Sequence, residues 1–321
     1  MQLPVVHSAR ALLTKFWNWV KAGLLAYLIV VMALTLLQRR LMYHPSRATF
    51  LDVARSQRVV ELFPDAENVS VKCDDGITIR GWHLQHRLGP KNEASERRPL
   101  VIYFHGNAGD RSMRGPWYEL FHSLGWNVLA YDYHGYGDSD GRISETALQL
   151  DCVAIWKSAL EDLHYKPKQI LIVGTSLGGA AAIYTAARAC EANHSPAGLV
   201  TVATFSSMVD AASFHYPWIP VRLVLADRFP SIERIQKVTC PMLMMHGDAD
   251  RVVPQSLGRR LFEAAPEQSA TGIPRRWVDL PGFGHNGLPV YAADLLLPEL
   301  QRFGQQVLPD AEAKFPDSPE D

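Results

Sequence analysis

Residues 169 to 179 read QILIVGTSLGG, so an apolar run passes directly into a G-x-S-x-G pattern at Gly174, Ser176 and Gly178, followed by Ala180, Ala181 and Ala182. A strand that breaks sharply into a helix in this way lifts a serine hydroxyl clear of its neighbours. Glycines two residues to either side let strand and helix approach without Cβ clashes, while the serine backbone takes up a strained conformation. Chance alone would give about 0.1 such matches in a chain of average composition, so the motif gains its force from context. A nucleophilic serine needs a base, and the base needs a carboxylate that fixes its tautomer and stabilises the imidazolium.

Both partners follow in the chain order expected of a strand-elbow-helix hydrolase. PMLMMHGDADRVVP (241 to 254) ends an apolar run in a loop with two carboxylates, Asp248 and Asp250, and spacing does not choose between them. His285 lies in LPGFGHNGL, a glycine-rich loop after the last apolar run. The other histidines, among them His83, His86, His122 and His164, have no such context. Upstream, YFHGNAGD leaves an apolar run through His105 and Gly106, a turn whose backbone can face a developing oxyanion. Asn107 and Leu177 are the expected amide donors, each worth about 3 to 4 kcal/mol of transition-state stabilisation.

These residues require a scaffold that brings distant loops to one edge. Short apolar runs at 100–104, 127–132, 169–173, 199–203, 241–245 and 276–280 alternate with helical patterns such as 144–163 and 177–190. Such alternation predicts a mostly parallel sheet covered by helices on both faces, joined by right-handed crossovers. Residues 69–84 alternate apolar and polar side chains around Asp75-Gly76, as a β-hairpin does, and 89–98 read as a loop.

Before this scaffold, residues 19 to 37 (WVKAGLLAYLIVVMALTLL) form an almost unbroken apolar run close to the length of a bilayer core. It predicts a transmembrane anchor at 19–40 behind an N-terminal segment at 1–18, with Lys21, Trp17 and Trp19 at one interface and Arg39 and Arg40 at the other. A cleaved signal peptide would have a shorter run and a small-residue cleavage site, and a buried core helix would not be flanked by bases. The count of bases leans towards a cytoplasmic catalytic domain without deciding the side. The acidic, proline-rich stretch 309–321 reads as a solvated tail, leaving a hydrolase domain at 41–308.

Composition excludes other functions. A net charge of -1 over 321 residues provides no basic footprint for nucleic acid. Cys73, Cys152, Cys190 and Cys240 match no zinc spacing and no CxxC pair, and acyl transfer by a serine nucleophile requires neither a metal nor an organic cofactor.

Taken together, HGNAG (105–109), DYHGYGDSDG (132–141), GTSLGG (174–179), HGDADRVVP (246–254) and GFGHN (282–286) make residues 40 to 305 resemble the membrane-anchored α/β-hydrolase-domain serine hydrolases, in the branch that includes protein depalmitoylases. The resemblance implies an α/β-hydrolase fold of eight-stranded type. It makes Ser176 the nucleophile, His285 the base and, from the fifth position of HGDAD, Asp250 the acid. It departs from the family at His134, where an arginine is usual. The insertion at 205–238 resembles the small cap of that branch; Phe214, Tyr216, Trp218, Ile219, Leu223 and Leu225 either line an acyl pocket or pack the cap onto the sheet. The expected activity is hydrolysis of an ester or thioester, of a lipid, an acyl-protein or a small acyl ester, through an acyl-enzyme. A serine peptidase of the same fold would use the same groups, and a non-catalytic binding protein of this fold would usually have lost one of them. A dehalogenase would need an aspartate in place of Ser176.

Overall fold

The computed structural model describes residues 5–86 and 98–308, with the side chains of 5–11 left out. Most of the expected loop at 89–98 and all of the expected tail at 309–321 lie outside the described residues. A single helix, α1 (Val5–Met42), runs through the whole apolar segment. At 1.5 Å per residue its 38 residues span about 57 Å, well beyond the roughly 30 Å of a hydrocarbon core, so the helix continues past both ends of the apolar run. Its part from Leu12 to Met42 is long and apolar enough to cross a membrane.

The strands are β1 (His44–Pro45), β2 (Glu67–Lys72), β3 (Thr78–Leu84), β4 (Leu100–Phe104), β5 (Ala108–Gly109), β6 (Asn127–Tyr131), β7 (Ile170–Thr175), β8 (Gly198–Val202), β9 (Met242–Gly247) and β10 (Arg276–Leu280). Eight of them form one sheet in the order β10-β9-β8-β7-β4-β6-β3-β2, and β1 pairs with β5 separately. The hairpin β2-β3 and the β3-β6 pairing are antiparallel; every other pairing in the large sheet is parallel. The central strands β4, β6, β7 and β8 are buried at every position but Thr175, which is why they read as continuous apolar runs and not as alternations.

Helices cover both faces: α2 (Gln57–Leu62), α3 (Gly115–Ser123), α4 (Glu145–Glu161) and α5 (Leu177–Glu191), then α6 (Met208–His215), α7 (Val221–Val224) and α8 (Ser231–Arg234) of the insertion, and α9 (Gln255–Ala264), α10 (Leu288–Tyr291) and α11 (Ala293–Val307). Two apolar clusters result, one on each side of the sheet, with Ile172 in one and Val173 in the other because successive strand residues face opposite ways. Ser144 starts α4 by accepting from the Ala147 N–H, the cap that a serine supplies best.

Candidate active site

The three loops meet at the C-terminal edge of the parallel strands. Ser176 sits between β7 and α5 with φ 53° and ψ -119°, a left-handed conformation that costs a non-glycine residue about 1 to 3 kcal/mol. Its neighbours hold it there: its N–H donates to Val202 O at 3.0 Å, and its carbonyl accepts from the Gly179 N–H and from Thr204 Oγ1, both at 2.9 Å. The glycines of the motif are required by distance. A Cβ at Gly174 would stand 2.2 Å from Gly178 O, and one at Gly178 would stand 2.0 Å from Phe104 O, both backbone atoms that cannot rotate away.

His285 Nε2 lies 3.0 Å from Ser176 Oγ, and His285 Nδ1 lies 2.7 Å from Asp250 Oδ2. Asp250, after β9, is buried, and its other oxygen accepts from the Val252 and Val253 N–H groups at 2.8 Å each. Burial alone would raise its carboxyl pKa, but the hydrogen bonds from His246 and His285 and the Val253 N–H outweigh that and hold it well below the usual carboxylate range. Asp248 is exposed and accepts from the Gly282 N–H at 2.6 Å, so the second carboxylate of HGDAD ties down the start of the loop that carries His285.

The HGNAG turn lies beside the serine. A Cβ on Gly106 would be 3.5 Å from Ser176 Cβ, ordinary contact distance. Asn107 lines the cavity with Ser176 and His285. Among the described residues no carbonyl accepts the Asn107 N–H, while its own carbonyl accepts from Tyr136 Oη at 2.7 Å and its side-chain amide donates to Met42 O. Leu177 is the first residue of α5, so its N–H is one of the four that a helix leaves without an intrahelical partner, at the positive end of the dipole.

DYHGYG positions this turn, a role that sequence reasoning missed. Tyr133 Oη donates to His105 O at 2.7 Å, and the buried Asp132 stands 3.2 Å from His105 Nε2 and 2.5 Å from Arg111 Nη1. Arg111 also reaches Asp138 at 2.6 Å. His134, the departure from the usual arginine, places Nδ1 2.5 Å from Asp151 and Nε2 3.1 Å from Asp75, so both ring nitrogens face carboxylates as an arginine's donors would. Cys73 Sγ donates to the same Asp151 at 3.5 Å, so Cys73, His134 and Asp151 form one buried hydrogen-bonded cluster.

A cavity of about 400 Å³ opens beside Ser176. Its walls include Met113, Arg114 and Trp117 from the segment after β5, Val252 from the loop after β9, and Leu288 and Val290 from α10. The cap aromatics are a correction to both sequence readings: none of Phe214, Tyr216, Trp218, Ile219, Leu223 and Leu225 lines this cavity, and they do not pack onto the sheet either. Ile219 and Leu225 cluster with Val31 and Leu34 of α1, while Phe214, Tyr216, Trp218 and Leu223 are exposed.

Residues 99–235 match the family model described as the alpha/beta hydrolase fold. An uncharacterized protein of Mycobacterium tuberculosis is 37% identical over 276 residues, which cover 85% of this chain and 89% of that protein. The lysophosphatidylserine lipase ABHD12 of Danio rerio is 28% identical over 248 residues, 69% of this chain and 64% of the lipase, so the match spans less than two thirds of that protein. Among solved structures, the Pyrococcus furiosus esterase Pf2001 superposes with a TM-score of 0.62 at 18% identity, over 83% of this chain and 98% of the esterase. Agreement between the strand order, the elbow and these relatives has one outcome: the chain belongs to the α/β-hydrolase family.

Proposed function

We propose that this chain cleaves carboxylic ester bonds, those of lipids included, with Ser176 as nucleophile, His285 as general base and Asp250 as the carboxylate that orients it. The observation that carries the reading is the continuous hydrogen-bonded row Ser176 Oγ, His285 Nε2 and Nδ1, and Asp250 Oδ2, at 3.0 and 2.7 Å. Ser176 attacks the ester carbonyl while its proton passes to His285 Nε2; the imidazolium forms beside a carboxylate held ionised. The oxyanion is received by the Asn107 and Leu177 N–H groups, and His285 then protonates the departing alcohol. Water, deprotonated by the same imidazole, releases the acid from the acyl-enzyme.

The cavity also favours a substrate class. Its walls are mainly apolar, with polar groups from Asn107, Thr175, Ser176, His285 and Asn286 and one cation, Arg114; among the described residues the Arg114 Nε is buried without a partner and its Nη2 donates to the Ala108 carbonyl. An amphiphile with one acyl chain and an anionic phosphate or carboxylate near the ester suits this combination, which agrees with a relative named as a lysophosphatidylserine lipase. Labelling of the full chain by a fluorophosphonate probe, with Ser176→Ala as comparison, tests the nucleophile: wild type should label and the variant should not, and equal labelling rejects the assignment. Arg114→Gln should raise KM for an anionic lysolipid by about tenfold, the 1.4 kcal/mol of one charge-assisted contact, while leaving KM for a neutral monoacyl ester unchanged. Equal effects on the two esters would remove Arg114 from headgroup recognition.

A further inference from the structure

The cap is joined to the apolar helix along much of its length. Tyr27 Oη donates to Trp218 O at 2.9 Å, the Gln38 amide spans Val224 O at 3.2 Å and the Ala226 N–H at 2.7 Å, and Arg39 pairs with Asp227 at 2.9 Å. Tyr27 and Arg39 are twelve residues apart, about 18 Å of helix. On the side of α1 away from the cap, that stretch exposes Leu28, Met32 and Leu36. Lys15 and Lys21 before it and Arg39 and Arg40 after it prefer water or headgroups, so a bilayer that covers the exposed leucines cannot be moved off this stretch.

The cap surface beside the helix has the composition of a membrane interface. Phe214, Tyr216, Trp218 and Leu223 are 58%, 47%, 54% and 85% exposed, within a ten-residue stretch. Soluble surfaces carry such residues singly, whereas a contiguous group marks an interaction site, and tryptophan and tyrosine favour the headgroup level. The same surface reaches the cavity mouth: His215 Nε2 donates to Val252 O at 2.8 Å, and Val252, Val290 and Met113 combine wall positions in the cavity with side chains more than half exposed.

We propose that the cap is a second, monotopic membrane contact: its exposed aromatics and Leu223 are immersed in the leaflet that α1 leaves, which opens the Ser176 cavity towards lipid. The occupant is the bilayer because the cap is fastened to a helix already suited to it, and a tilted α1 lowers this face onto the leaflet. An acyl ester then reaches the cavity by lateral diffusion without desorbing into water. The immersion stands whether or not Ser176 is the nucleophile, but the delivery of substrate rests on that reading.

The test uses the full chain in phosphatidylcholine vesicles. The four native cysteines are buried, so Leu223→Cys carries an environment-sensitive fluorophore at one site, with Lys157→Cys on α4 as a control remote from the cap. Lipids with a doxyl group high on the acyl chain should quench the Leu223 probe at least about twofold and leave the Lys157 probe unchanged. Equal, weak quenching at both sites in vesicle-bound protein overturns the proposal, as does disulfide cross-linking of two unlabelled Leu223→Cys chains, which would make a second copy the occupant. A variant with Phe214, Trp218 and Leu223 all changed to serine should keep its turnover of a water-soluble short-chain ester and lose roughly tenfold in turnover of a long-chain ester held in vesicles. Equal turnover of both esters by the variant and the wild type overturns the delivery route. Wild-type protein inert towards both esters would count against the hydrolase reading and leave the quenching result to decide the immersion.

Discussion

Asp250 does two things at once, and they can be measured apart. Its Oδ2 holds His285, and its Oδ1 closes the turn through the Val252 and Val253 N–H groups. Asp250→Asn keeps a turn-closing oxygen but presents the imidazole with an amide in place of an anion, so the ring loses both its tautomer and the stabilisation of its charged form. The expected loss in kcat is about 10⁴-fold, the size known for this change in a serine protease, with the cooperative melt preserved. A variant within tenfold of wild type would show that another carboxylate holds the base. The ionisation also has a stability consequence. Asp250 is held below its unfolded value, so its contribution is present above about pH 4 and is lost as pH falls through the depressed native value. Acid unfolding of the wild type should therefore be steeper than that of Asp250→Asn.

At the scale of elements, the loop after β6 holds the turn after β4 through Tyr133, Tyr136 and Asp132, and His134 anchors that loop in turn to α4 and the β2-β3 hairpin. Burial works against the His134 imidazolium, yet its bonds to Asp151 and Asp75 prevail and raise its pKa above the usual value. A raised native pKa stabilises fully below the unfolded value of about 6.5 and loses that effect as pH rises through the native value. Melting temperature should thus decline from pH 6 to pH 9 in the wild type, and the decline should be shallower in His134→Gln. Parallel curves for the two proteins would mean that His134 is neutral in the fold. The strands were legible because a strand buried on both faces must be apolar throughout, and the elbow because its glycines answer to clashes of 2.2 and 2.0 Å. Spacing leaves Asp248 and Asp250 open and only the family resemblance separates them, whereas Ser176 and His285 could be read from the chain because each follows an apolar run in the expected order. Arg111, Asp132 and Tyr136 could not, since a tyrosine that bonds a carbonyl 29 residues away leaves no periodic mark. Met113 and Arg114 escaped for a similar reason, because a cavity wall is made by juxtaposition and not by pattern.

At the scale of the molecule, the cap belongs as much to α1 as to the sheet, and hydropathy alone hid this by making the apolar run of α1 and the aromatics of the cap look like separate devices. Their joint is a charge pair of unequal exposure. The Asp227 carboxylate is 4% exposed and receives Arg39 Nε at 2.9 Å and Nη2 at 3.0 Å, with Tyr43 Oη at 3.1 Å, whereas Arg39 itself is 54% exposed. Removing Arg39 gains little from freeing a half-solvated guanidinium and leaves a desolvated anion with one neutral donor. Arg39→Ala should therefore lower stability by about 1.5 to 3 kcal/mol, and Arg39→Lys by less, because a single ammonium replaces a two-point contact. Arg58→Ala, which breaks a solvent-exposed pair with Glu119, should leave the melting temperature nearly unchanged. Thermal scans of the full chain in detergent read all three. The cause is separable: if the buried charge accounts for the loss, adding Asp227→Asn to Arg39→Ala should recover part of it, because an amide buried there costs less than an unpaired carboxylate. A double variant no more stable than Arg39→Ala would assign the loss to packing between α1 and the cap, with the ion pair a bystander.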